Sequence, residues 1–67
     1  MAPKRLGKVI QRLRDNKNMT QRDLAAKAKV TPGYIAQLEM GMRKNPSLDV
    51  LKRIAKALSV PVTELLE

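Results

Sequence analysis

Apolar residues in this chain recur at offsets of three and four, and nowhere do they alternate with period two. That spacing calls for helices and excludes a sheet. Leu6, Val9, Ile10 and Leu13 form one such stripe, on a helix expected over residues 4–16, and Asn16-Lys17-Asn18 breaks it. Gly7 inside the stripe weakens that helix by about 1 kcal/mol relative to Ala, but lets another helix approach closely. Thr20 with Asp23 three residues on has the form of a capping box, and Met19 before it can act as an apolar staple. Together they place a second helix over 21–28, with Leu24, Ala25 and Ala28 facing inward. Thr31 caps a third, over 32–40. Pro32 takes its first position, where a missing N–H costs nothing. Ile35 and Leu38 form its buried side, Val30 plugs the turn beneath, and Gly41 stops it. Ser47 opens a fourth helix over 48–58, with Leu48, Leu51, Ile54, Ala55 and Leu58 inward. Pro61 starts a last short one over 62–66.

The expected fold class is all-α, a compact bundle of five short helices with short connections. The chain has 67 residues, 17 of them Leu, Ile or Val and seven Ala. That supplies one small core and one domain, 1–67, with little structure to spare for a deep pocket.

Composition removes most chemistry. There is no Cys and no His, so disulfides, thiolate nucleophiles, imidazole bases and the usual zinc ligand sets are out. The six acids are scattered over caps and surfaces. No metal site, cofactor or enzymatic activity is expected. No apolar run reaches the length of a membrane span and no signal sequence is visible, so a cytoplasmic protein with no membrane partner is expected. Charge is the positive clue. Fourteen Lys and Arg against six acids give +8, and nine of the cations lie in the first 30 residues beside only two acids. A polyanion is the simplest partner for such a surface.

Two short helices joined by three or four residues, over 20–40, make a helix-turn-helix arrangement. The outer side of the second carries Pro32, Gly33, Tyr34, Ala36, Gln37 and Met40, mostly small and uncharged, which suits insertion into a groove. Gln37 offers a donor and an acceptor together, the chemistry of the adenine N6/N7 edge. Tyr34, the one aromatic residue, can reach a phosphate through its hydroxyl or a thymine methyl through its ring; a half-buried surface position is the plainer alternative. Gln21 and Arg22 sit on a helix N-terminus, where free N–H groups and the dipole favour phosphate. Asn18 before that helix, and Arg43, Lys44 and Asn45 in the loop after the third, complete the expected phosphate-binding set. Such contacts give affinity and register but little sequence information.

The run from Gln21 to Glu39, QRDLAAKAKVTPGYIAQLE, resembles the signature of the Cro and phage-repressor type of helix-turn-helix domain. Gln21, Ala25, Val30, Ile35, Leu38, Glu39 and Gly41 match it in order. The stretch from Leu51 to Val60 resembles the family's fourth helix. The resemblance covers about residues 5–66 and implies a lambda-repressor-like fold. It implies a sequence-specific, double-stranded-DNA-binding transcriptional regulator of prokaryotic or phage type, acting as a homodimer that DNA reinforces on a palindrome. It puts base reading on Thr31, Pro32, Gly33 and Gln37, phosphate binding on Gln21 and backbone contact on Tyr34. It makes Arg14 and Glu39 a structural pair. Relatives often carry polar side chains where this chain has Pro32 and Gly33, which shifts readout toward methyl contacts or groove shape. Val62, Leu65 and Leu66 are the candidate dimer contacts, unless they only seal the core. The rival reading is a protein-interaction module such as the antitoxin of a toxin–antitoxin pair, its basic face covering an acidic partner.

Overall fold

The computed structural model describes residues 5–43 and 46–66. It is built of α1 (Leu6–Asn16), α2 (Gln21–Ala28), α3 (Pro32–Glu39), α4 (Leu48–Ala57) and a final 3-10 turn (Val62–Leu65). The expected Lys4 start of α1 lies outside the described residues.

Three of the four helices begin with a hydroxyl side chain that takes up an otherwise unpaired N–H. Thr20 Oγ1 accepts from the Asp23 N–H at 3.0 Å, and Asp23 Oδ2 accepts from the Thr20 N–H at 3.0 Å, closing the box on both sides. Thr31 Oγ1 accepts from the Tyr34 N–H at 3.1 Å and Ser47 Oγ from the Val50 N–H at 3.2 Å. These caps fix the start of each helix to the residue, as their sequence pattern implies. The hydrogen bond donated by the Thr20 N–H, with the Thr20 hydroxyl beside it, holds the Asp23 carboxyl below its ordinary pKa. A depressed native pKa means that the charged form is favoured by folding. The cap therefore contributes fully above the ordinary carboxylate range and is lost as pH falls through the lower native value. Asp23→Asn should accordingly flatten the acid limb of a stability–pH profile, measured by thermal melts between pH 2 and 6. A limb as steep as that of the parent protein would refute the assignment.

The helix ends share one device. Asn18, Lys29, Gly41 and Ser59 all have positive φ, at 55°, 61°, 77° and 60°. In each case the next residue donates its N–H back five residues, Met19 to Arg14, Val30 to Ala25, Met42 to Gln37 and Val60 to Ala55, at 2.8 to 3.0 Å. This is the Schellman closure, and it satisfies carbonyls that would otherwise be orphaned. Only one of the four positions is glycine. At the other three the left-handed conformation is strained, and the apolar residue that follows (Met19, Val30 or Val60) packs against the core. That packing is what holds the strained residue in place. Two expected boundaries shift as a result: α3 ends at Glu39, not Met40, and α4 at Ala57, not Leu58. The last expected helix is a 3-10 turn ending at Leu65.

The core joins all elements: Leu6 and Ile10 from α1, Leu24, Ala25 and Ala28 from α2, Ile35 and Leu38 from α3, Leu51, Ile54 and Ala55 from α4, then Leu58 and Leu65. Two expectations need correction. Leu48 is 54% exposed and not inward, because it lies where the α4 stripe extends past the edge of the core. Leu65 is buried, so it cannot serve a dimer surface, whereas Leu66 is 50% exposed. A 3-10 turn has three residues per revolution, so two adjacent leucines face different ways.

α1 and α3 meet at two points. At one, Gly7 is buried against the last turn of α3: a Cβ built there would lie 2.6 Å from the Glu39 carbonyl oxygen and closer still to that of Leu38. The other point is the ion pair described next.

Candidate nucleic-acid interface

Glu39 closes α3 with a carboxylate that is only 5% exposed, yet it has three donors. Arg14 of α1 donates from Nε to Oε2 at 2.8 Å and from Nη2 to Oε1 at 3.1 Å. Gln21, the first residue of α2, donates from Nε2 to Oε1 at 2.9 Å. Arg14 also donates from Nη1 to the Met19 carbonyl at 2.8 Å, in the link before α2. One carboxylate and one guanidinium thus tie together α1, the start of α2 and the end of α3. The hydrogen bonds to Glu39, with its charge, hold Arg14 above its already high ordinary pKa against the opposing effect of burial. The expected Arg14–Glu39 pair is present. Its third member, Gln21, was not anticipated in that role. The Gln21 amide keeps one N–H beyond the bond to Glu39, and the bond fixes which end of the amide carries it.

The turn of three residues, Lys29 to Thr31, sets α3 across α2. At its tip Thr31, Pro32 and Gly33 are all exposed. The Thr31 hydroxyl oxygen accepts in the α3 cap, and its O–H remains to donate. Gly33 is helical, with open space around the place a Cβ would occupy. Nothing in the fold requires glycine there. Gly33→Ala should raise stability by about 0.5 to 1 kcal/mol, since Gly loses more backbone freedom on folding. A urea titration checks this, and a lower midpoint would show a steric demand that the structure lacks.

Asn18, Gln21, Arg22 and Pro32 line one open notch together with Arg14, Asp15, Met19 and Thr20. The structure therefore brings three expected phosphate-binding residues onto one surface with the tip of α3. Lys44 and Asn45 lie outside the described residues. Tyr34 is half-buried and packs against the core, so it does not stand free. Its ring lies under Arg43, 5.3 Å from the guanidinium carbon. Arg43 also donates from Nε to Gln37 Oε1 at 2.8 Å. Gln37 is half-buried, and its amide oxygen is oriented toward Arg43. No signal in the sequence announced this contact, which depends on the chain doubling back over α3 at Gly41.

The cations are not gathered on one face. Arg5, Lys8 and Arg12 line a groove along α1 with Val9. Lys27, Lys29, Arg53 and Lys56 line another, between α2 and α4. There Arg53 bridges Asp49, at 3.1 Å, and the Lys29 carbonyl at the end of α2, at 3.4 Å. α3 itself holds no cation. Among the described residues no three acids come together as a metal site would require. Nor is any described helix long and apolar enough to cross a membrane.

A family model described as helix-turn-helix matches residues 10–65. The chain belongs to the helix-turn-helix family. Within it, this domain is of the Cro and phage-repressor type. The restriction-modification controller protein C.AhdI of Aeromonas hydrophila superimposes with a TM-score of 0.87 at 31% identity, over 91% of each chain. The N-terminal DNA-binding domain of SinR from Bacillus subtilis does so with a TM-score of 0.91 at 31% identity, over 97% of this chain and 94% of that one. Among curated proteins, the transcriptional regulator SlrR of Bacillus subtilis is 32% identical over 62 residues, which is 92% of this helix-turn-helix chain and 41% of SlrR. The chain thus spans less than half the length of that relative.

Proposed function

We propose that this helix-turn-helix domain binds double-stranded DNA sequence-specifically and regulates transcription by occupying a palindromic operator as a homodimer. The observation that carries the reading is the exposed tip of α3, small and uncharged at Thr31, Pro32 and Gly33, beside an α2 start that offers Gln21 and Arg22. The tip fits the major groove, whose width admits a helix. Gln21 and Arg22, with the α2 N-terminus and Asn18, suit the phosphates alongside. The likeness to the SinR DNA-binding domain and to a restriction-modification controller supports the same reading. Two subunits would set their α3 helices about 34 Å apart, one helical turn of DNA. Leu66, exposed at the end of the described chain, and the half-buried Val62 are the residues left for the dimer contact. The site of action would be the prokaryotic cytoplasm, where operator DNA lies, and no catalytic step is involved.

Selection of bound duplexes from a random pool at fixed salt tests the proposal. The expected outcome is two inverted half-sites at a fixed spacing. Equal affinity for all duplexes would refute it.

A further inference from the structure

Arg43, Gln37 and Tyr34 form a small constellation on the outer side of α3. Gln37 Oε1 receives the Arg43 Nε–H at 2.8 Å, and the Tyr34 ring lies beneath the guanidinium at 5.3 Å. Reading adenine with glutamine needs Oε1 to accept from N6 while Nε2 donates to N7. With Arg43 on one of the two lone pairs of Oε1, Gln37 can accept from adenine N6 only through the other, beside a fixed cation. Arg43, in turn, gives up Nε and retains both Nη groups, the end-on fork that matches guanine O6 and N7. Gln37 anchors that fork from the second turn of α3, and Tyr34 limits how it tilts.

We propose that Arg43 is a base-reading residue specific for guanine, and that Gln37 is a positioning residue that aims it. The inference rests on the DNA-binding function proposed above and assigns its specificity. Arg43 is exposed. An exposed hydrogen bond of this kind adds little to folding, so its value lies in fixing where the guanidinium points. Losing a phosphate contact weakens every duplex alike, whereas losing a guanine contact weakens only duplexes that carry that guanine.

The experiment compares the whole chain with Arg43→Ala and Gln37→Ala on the selected operator and on duplexes carrying each single base-pair change. The parent protein is expected to select a guanine in each half-site, and replacing it by adenine should weaken binding about tenfold or more. Arg43→Ala should erase that discrimination, weakening binding of the guanine duplex far more than of the guanine-replaced one. Gln37→Ala should reduce the same discrimination without removing any preference for adenine. Melting curves should match for all three proteins. If Arg43→Ala leaves every base preference as it was and weakens all duplexes alike, Arg43 touches only phosphate and the proposal falls. It falls also if Gln37→Ala abolishes an adenine preference. A parent protein that selects an operator but shows either result fails this inference alone. One that selects no operator overturns the proposed function, and this assignment with it.

Discussion

Glu39→Ala should destabilise the domain by about 3 kcal/mol or more, as much as truncating a fully buried core leucine. The magnitude follows from what the deletion strands. Arg14 is 11% exposed, and Glu39 supplies the acceptors for two of its nitrogens. With the carboxylate gone, the guanidinium keeps the Met19 carbonyl and an outer contact to Asp15 at 3.5 Å, which is too exposed to compensate. Breaking a buried pair from one side typically costs about 3 to 5 kcal/mol. A chain of this length has roughly 3 to 10 kcal/mol of stability in total. Chemical denaturation of Glu39→Ala should therefore show a midpoint at a much lower denaturant concentration than that of the parent protein. The double replacement Arg14→Met, Glu39→Leu separates the value of the pair from the cost of breaking it. It removes both charges together and should recover most of the loss, because desolvation offsets much of the Coulomb attraction in a buried pair. It should not recover DNA affinity fully, since the Gln21 amide then loses the acceptor that orients it. A Glu39→Ala protein as stable as the parent would mean that solvent reaches Arg14 far more readily than its burial indicates.

Which parts of this arrangement could be foreseen depends on the range of the interaction that decides them. Helix starts are local chemistry. Thr20 with Asp23, Thr31 with Pro32, and Ser47 each carry their cap within three residues, and the structure begins α2, α3 and α4 where those residues require. Helix ends are less legible. Gly41 advertises a left-handed residue, but Lys29 and Ser59 adopt the same conformation only because Val30 and Val60 have a core to enter. Leu48 and Leu65 show the limit of an apolar stripe. Periodicity gives the face, but not how far along it the neighbouring helices reach. The Arg14–Glu39 pair joins residues 25 apart, and was accessible through the family resemblance but not through spacing. The bond of Gln21 to the same carboxylate, across 18 residues, and that of Arg43 to Gln37 over a folded-back turn had no sequence signal. Charge misled by its sum. The +8 reads as one footprint, whereas the side chains divide among a groove on α1, a groove between α2 and α4, and the notch beside α3. The proposed phosphate contacts therefore rest on a few placed donors around α2 and not on the total.

Gly7→Ala should cost about 1 to 2 kcal/mol, although the same change at Gly33 should stabilise. Both glycines are helical, so both replacements gain up to about 1 kcal/mol from helix propensity. They differ in what the new methyl meets. At Gly33 it enters open space, but at Gly7 it enters the carbonyls of Leu38 and Glu39. Those are main-chain atoms of the last turn of α3, so no rotamer change relieves the overlap, and one helix must move. Overpacking of this kind typically costs about 1 to 3 kcal/mol, and more where backbone must shift. The displacement would be felt at Glu39 itself, whose carbonyl is one of the clashing groups and whose carboxylate holds Arg14 and Gln21. Gly7→Ala should therefore lower the melting temperature and also weaken duplex binding at temperatures where the domain is still folded, by loosening the groups that set α3 against α2. Paired urea titrations of the two variants give the comparison directly. If Gly7→Ala melts at or above the parent temperature, α1 and α3 are not in the close contact described, and the coupling between that contact and the DNA-facing surface is lost with it.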